Sequence, residues 1–285
     1  MSRGIRPSAA ALLVVAALTL TACAGSPPAA TSSPTVTLAA PDPGAADIAL
    51  PPTGATPDYQ LGGAYPPPDG VTVVARDRTA SPADGLYSIC YVNAFQTQAG
   101  ELDAWPDALL LRDGAGELVI DPDWPDEVIV DTTDAAGVAA VVIPWVRGCA
   151  DDGFDAVEFD NLDTYTRAAG ALTRDDNLAV ASLLVAAAHD AGLAAGQKNA
   201  AEDAVVLHAT AGFDFAVTEE CVAYDECGAY RDVYGDAVIA IEYTDNLPVP
   251  FTEVCERDDL PASLVLRDRD LTLPDDPAYV FETCD

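Results

Sequence analysis

From Tyr59 onward, short runs of β-branched and aromatic residues alternate with longer Ala- and Leu-rich runs, the pattern of βα units feeding a parallel sheet. The alternation predicts strands at Tyr59–Gly62, Val71–Ala75, Leu86–Val92, Glu127–Val130, Phe154–Phe159, Ala194–Lys198, Phe213–Thr218 and Val238–Tyr243. Eight such strands fit a compact (β/α)8 barrel. Helical composition covers Ala135–Val146, Leu178–Ala191 and Ala204–Thr210, the second flanked by Asp175 and Asp176 as a start signal and Gly192 as a stop. An open doubly wound sheet is the competing arrangement, but no glycine-rich loop follows the first strand. Beyond Asp245 the chain is rich in Pro and Asp, with one β-like run, Ser263–Leu266, between Cys255 and Cys284. This reads as a disulfide-stapled C-terminal extension from about residue 246, within a domain spanning 58–285.

The first residues follow another pattern. Arg3 and Arg6 precede an apolar run, Ala9–Leu20, too short to cross a bilayer, and Leu20-Thr21-Ala22-Cys23 closes it. Residues 1–23 are a lipoprotein-type signal segment with Cys23 as the lipidated residue; cleavage by an ordinary signal peptidase, releasing a secreted protein, is the alternative. Residues 24–57 are Ser, Thr, Pro and Ala with few large apolar side chains, a composition that cannot bury enough surface to fold. They are expected to form a flexible stalk on a cell-surface, extracytoplasmic protein whose only membrane contact is its lipid.

Export changes the meaning of the cysteines. With Cys23 set aside, Cys90, Cys149, Cys221, Cys227, Cys255 and Cys284 form an even set for three disulfides, one of 15 possible pairings. The favoured pairing is Cys221 with Cys227 and Cys255 with Cys284, which leaves Cys90 for Cys149 by elimination; the other pairings stay open. Zinc is disfavoured, because only His189 and His208 are available and neither lies at finger spacing from a cysteine. The formal net charge of −34 argues against nucleic acid or an anionic lipid surface as partner and would favour a cationic substrate, although acidic surfaces also simply aid solubility.

Polar residues gather where the predicted strands end: Tyr91 and Asn93; Glu158, Asp160 and Asn161; Lys198 and Asn199; Glu219 and Glu220; Glu242 and Tyr243. A buried strand avoids such residues unless chemistry requires them, and in a parallel barrel these ends converge on one mouth. Several acids around one lysine suit glycosidic cleavage, in which one carboxyl group protonates the leaving oxygen and another acts as nucleophile or base.

The ordered motifs Tyr59-Gln60-Leu61-Gly62, Cys90-Tyr91-Val92-Asn93, Gly153 to Asn161, Gln197-Lys198-Asn199, Phe213 to Cys221 and Ile241-Glu242-Tyr243 together resemble glycoside hydrolase family 114 over about Tyr59 to Asp245. The resemblance implies a TIM barrel, endo-α-1,4-polygalactosaminidase activity without metal or organic cofactor, and a catalytic pair at Asp160 and Glu219. Asp160 is assigned as nucleophile or base and Glu219 as general acid, the reverse remaining open, with Glu220 the rival of Glu219 because strand register is not fixed by sequence. Lys198 holds a carboxylate ionised, binds a hydroxyl, or only neutralises buried acid; Asn93, Asn161, Asn199 and Tyr243 are expected to bond sugar and Tyr91 to stack on it, with Glu158, Glu220 and Glu242 also at the substrate. The partner is then a polysaccharide, expected to be a cationic amino-sugar polymer, met by a monomeric enzyme. The chain departs from the family pattern at Ala94-Phe95-Gln96-Thr97-Gln98, where a small turn followed by an acid is expected. Two further readings stay open: a polysaccharide-binding lipoprotein without turnover, and a glycosidase of another linkage.

His189 and His208 fall on predicted helices and read as packing or surface residues. Trp145 reads as core, while Trp105 and Trp124 either anchor loops or flank a sugar groove. The pair Asp121 and Asp123 lacks the glycine and distal glutamate of a calcium loop.

Overall fold

The computed structural model describes residues 48–284; the expected signal segment, Cys23 and residues 24–47 of the expected stalk lie outside the described residues. Eight parallel strands follow one another around a nearly closed barrel: β1 (Pro57–Tyr59), β2 (Val73–Asp77), β3 (Tyr87–Asn93), β4 (Ala156–Asp160), β5 (Ala194–Lys198), β6 (Phe215–Glu219), β7 (Val238–Tyr243) and β8 (Ser263–Arg267). A short antiparallel β9 (Phe281–Thr283) pairs with β8. Helices α1 (Ala135–Asp152), α2 (Arg174–Asp190), α3 (Ala204–Val206, continuing as a π-turn through Ala211), α4 (Cys227–Tyr234) and α5 (Phe251–Val254) complete the elements. The chain is a (β/α)8 TIM barrel.

Two strand assignments change. Glu127–Val130 is not a barrel strand: within the long connection from β3 to α1 it makes only isolated bridges, Gln96 to Ile129, Leu110 to Val130 and Ile120 to Val128. Its composition matches a barrel strand because it also buries apolar side chains, but Ile129 packs with Leu111, Ala168 and Leu172 in a separate small cluster. The eighth strand is instead Ser263–Arg267, assigned from sequence to the extension, so the barrel runs to residue 267 and the stapled segment is shorter. Residues 48–57 also depart from the stalk expectation: Ala55 is buried, Ile48 packs against the barrel interior, and the Tyr87 hydroxyl donates to the Ala49 carbonyl.

Strand alternation divides the side chains into two sets. Tyr59, Val73, Ala75, Ile89, Ala156, Ala194, Phe215, Val217, Ile239, Ile241, Tyr243 and Val265 fill the barrel interior. Cys90, Val92, Val157, Phe159, Ala195, Ala216, Ala240, Leu264 and Leu266 point outward into the larger core under the helices. The interior is narrow at β5, where a Cβ on Gly196 would lie 2.6 Å from the Phe215 ring, so that glycine makes room for the aromatic plug.

Closure is electrostatic. Arg267 and Asp58 are fully buried and pair at 2.9 Å across the seam between β8 and β1, and Arg267 also donates to the Tyr59 carbonyl. Asp58 is further held by Tyr65 at 2.8 Å and Gln60 at 2.7 Å.

Local signals explain the helices. Asp134 caps α1 by accepting from the Gly137 amide, and Gly153 ends it at φ 94°. Thr173 and Asp176 form a reciprocal capping box on α2. The disulfides are Cys90–Cys149, Cys221–Cys227 and Cys255–Cys284, tying β3 to α1, β6 to α4 and α5 to the C-terminal strand.

Candidate active site

The carboxyl ends of β3 to β7 supply the site, and the same alternation that sorts the core decides which acids face it. Glu158 and Asp160 share the inward parity of Ala156, Lys198 that of Ala194, and Glu219 that of Phe215 and Val217. Glu219 therefore lies on the interior side. Just past the strand ends the backbone turns sharply, with Asn161 at φ 65°, Asn199 at 52°, Ala200 at 61° and Glu220 at 60°. This conformation suits asparagine but costs alanine or glutamate about 1–2 kcal/mol. At β5 it is held by Gln197, whose Nε2 donates to the carbonyls of Asn199 at 2.7 Å and Ala200 at 3.0 Å.

Lys198 is the hub. Its side chain is 1 % exposed, and Nζ lies 2.6 Å from the Tyr59 hydroxyl, 3.4 Å from Asp160 Oδ2 and 3.3 Å from Glu219 Oε2. Burial alone would lower its pKa, but Asp160, Glu219 and Glu158 outweigh it and push it up, so the ammonium stays charged. Engaged in this way it serves two carboxylates, which supports the first of its three expected roles.

Asp160 is fixed from two sides, accepting from the Tyr91 hydroxyl at 2.8 Å on Oδ2 and from the Asn161 amide at 2.7 Å on Oδ1. Tyr91 thus orients an acid, where stacking was expected. Glu219 accepts from Asn199 Nδ2 at 3.1 Å and from the Tyr243 hydroxyl, while its own amide donates to Asn199 Oδ1 at 2.8 Å. Burial raises the Glu219 carboxyl, but Lys198, Tyr243 and Asn199 prevail and hold it below its usual range. The side chains of Asp160 and Glu219 are 15 % and 26 % exposed, enough to meet a ligand.

Other expected site residues are placed differently. Glu158 is fully buried beneath the pair, accepting at 2.7 Å from Tyr59, and so cannot contact substrate. Burial raises it to about 7 against the pull of Lys198 and the Tyr59 hydrogen bond. Glu242 has outward parity and lies behind the barrel wall, where its carboxylate accepts from the Val222 amide at 2.9 Å beside Cys221 and Cys227. Burial lifts it to about 7 as well, despite the Val222 and Ala223 amides. Those two sulfurs are joined to each other, so with Glu242 they are no metal centre.

Glu220 sits at the rim, paired with Arg269 at 2.6 Å and bonded by Asn246 at 3.0 Å. Asn93 accepts from Asn161 at 3.0 Å and donates to Glu127 at 3.2 Å, and Gln96 donates to the same Glu127 oxygen at 2.6 Å. Asn161 also accepts from Arg167, which spans Asp121 at 2.7 Å and Asp163 at 2.8 Å. Asp121 is thereby an arginine partner.

Sequence reasoning missed Tyr59, Glu127 and Arg269. Tyr59 opens a quoted motif, and its inward parity was the available signal. Arg269, in the turn after β8 and 4.6 Å from the Tyr243 ring, was hidden because the preceding strand was read as part of an extension. The histidines are remote: His189 pairs with Asp214 at 2.8 Å, and His208 bonds the Phe213 carbonyl at 2.8 Å. Trp105 stacks edge-on against Trp145, and Trp124 is exposed.

Residues 38–285 match the model of Glycoside-hydrolase family GH114. The chain belongs to glycoside hydrolase family 114. The family establishes glycoside hydrolase activity for the chain, and the fold is shared with solved structures. Ega3 from Aspergillus fumigatus, crystallised with galactosamine, is 23% identical with a TM-score of 0.66, covering 80% of this chain and 96% of that one. The glycoside hydrolase domain of PelA from Pseudomonas aeruginosa is 14% identical with a TM-score of 0.51, covering 79% and 97%. No functionally curated protein matches the sequence.

Proposed function

We propose that this family 114 hydrolase is exported, lipid-anchored at Cys23, and cleaves internal α-1,4 linkages of a galactosamine-containing polysaccharide, with Asp160 as nucleophile and Glu219 as general acid. The single observation that carries the assignment is the sharing of Lys198 by these two part-exposed carboxylates on neighbouring faces of one mouth. Three disulfides support an oxidising compartment. The galactosamine in the Ega3 crystal supports the sugar, and the formal charge of −34 supports a cationic polymer.

The geometry supports double displacement. The two oxygens that touch Nζ can be separated by no more than their summed distances from it, about 7 Å, which favours the spacing of roughly 5 Å typical of retaining enzymes over most of the inverting range. Asp160, pinned by Tyr91 and Asn161, directs an oxygen at the anomeric carbon while Glu219 protonates the departing glycosidic oxygen. Water, deprotonated by Glu219, then releases the sugar from Asp160.

The test is incubation with partly deacetylated α-1,4-polygalactosamine, chitosan and a neutral glucan, reading new reducing ends and product length. Mid-chain cleavage of the first polymer alone is expected. Tight binding without new ends would make the protein a polysaccharide-binding module, and cleavage of another polymer would reassign the linkage.

A further inference from the structure

The proposed reaction uses two of the three acids around Lys198. The third, Glu158, lies one inward position below Asp160 on β4 and is completely buried. Its Oε1 accepts a hydrogen bond from the Tyr59 hydroxyl at 2.7 Å, and Tyr59 in turn accepts from Lys198 at 2.6 Å. Oε2 has no hydrogen-bond partner among the described residues. A carboxylate buried with one oxygen unpartnered is costly, whereas an apolar side chain would fill the volume without desolvating a charge. Glu242 shares the unpartnered oxygen, and what sets Glu158 apart is its link through Tyr59 to Lys198.

We propose that Glu158 is a positioning residue that shares one proton with the general acid Glu219 across Tyr59 and Lys198, and thereby extends activity to higher pH. Three carboxyl groups face one fixed ammonium. With Asp160 ionised as the nucleophile and Lys198 the single cation, two further negative charges balance poorly in the interior, so the last proton of the cluster is held jointly by Glu158 and Glu219. In the resting arrangement burial favours the proton on Glu158, consistent with its rise to about 7, while Lys198 keeps Glu219 low. When the proton sits on Glu219, the charge left on Glu158 repels its departure. The groups facing this pair from the surrounding strands are Tyr59, Tyr91, Asp160, Lys198 and Tyr243; each tyrosine is raised by burial first and stays neutral, so none competes for the proton.

The consequence separates this role from a structural one. Glu158→Gln keeps the size and an acceptor for Tyr59 but removes the charge. Glu219 then gives up its proton without the neighbouring repulsion, and the alkaline limb moves to lower pH by about one unit, the coupling typical of interacting sites. The ratio of variant to native kcat/KM, measured on the cleaved polymer, falls about tenfold between pH 5.5 and 8.5. A ratio constant across that interval overturns the proposal. Carboxyl 13C NMR of native protein labelled at glutamate tests it independently of whether the variant folds: Glu158 and Glu219 titrate in coupled steps, and two independent single steps contradict it. The inference rests on the catalytic pair proposed above. Were that pair wrong, Asp160→Asn and Glu219→Gln would stay active; were only the present inference wrong, both would be inactive while the Glu158→Gln profile ran parallel to the native one.

Discussion

Replacing Lys198 by Met removes the charge between the two carboxylates while keeping most of the volume. At 3.3 Å from Glu219 and an effective dielectric near 20, the attraction is about 5 kcal/mol before solvent screening at this part-exposed carboxylate is set against it. Burial does not oppose the change, because it already raises Glu219 and acts in the same direction once the ammonium is gone. Glu219, now held below its usual range by Lys198, Tyr243 and Asn199, therefore rises. As the proton donor it keeps its proton to higher pH, so the alkaline limb of kcat/KM moves upward, opposite to the Glu158→Gln shift. The plateau rate falls, because Asp160 loses a partner at 3.4 Å that orients it. Breaking a buried ion cluster also destabilises the fold by about 3–5 kcal/mol. The assay is kcat/KM from pH 4 to 9 with a melting curve at each pH. An alkaline limb that stays in place or moves downward in a folded variant would show that Lys198 does not hold down the Glu219 carboxyl.

Three further outcomes concern groups away from the catalytic pair. Glu242 is raised from its ordinary 4.5 to about 7, so the folded state keeps a proton that the unfolded chain releases; its stabilising effect is complete below pH 4.5 and is lost as pH rises through 7. Glu242→Gln abolishes that loss, and its Tm relative to native rises between pH 5 and 8, by up to about 3 kcal/mol of stability; a constant difference would show that Glu242 does not titrate there. Arg267→Met leaves Asp58 buried without its cation and costs about 3–5 kcal/mol in urea unfolding, part of which Asp58→Asn recovers in the double variant. Replacing Cys255 and Cys284 by Ser opens a 29-residue closure and costs about 3–4 kcal/mol on the chain-entropy account, read from the same unfolding curves.

Different signals in the sequence pointed to the barrel and to the polar residues gathered at its mouth. Asp160, Lys198 and Glu219 were legible because each is a charged residue at the end of an apolar run, a combination the interior does not tolerate without compensation. Their partners were harder to see. The Tyr59 hydroxyl meets Glu158 from 99 residues away, and Arg267 meets Asp58 across 209, pairings that no local pattern encodes. The parity that separates Glu219 from Glu220, and turns Glu242 away from the mouth, depends on where each strand begins, which composition leaves uncertain by a residue. Val128-Ile129-Val130 and Leu264-Val265-Leu266 carry equivalent apolar signals. Only partner strands distinguish them: the first finds isolated bridges in a loop, the second a full parallel ladder on β7.

In the proposed mechanism Asp160 and Glu219 perform the bond cleavage while sharing Lys198. Steady-state hydrolysis by Asp160→Asn and Glu219→Gln, each confirmed folded by its melting curve, decides this. Either substitution is expected to lower kcat by at least about a thousandfold with KM changed only a few-fold. Turnover within tenfold of native in either folded variant would contradict it.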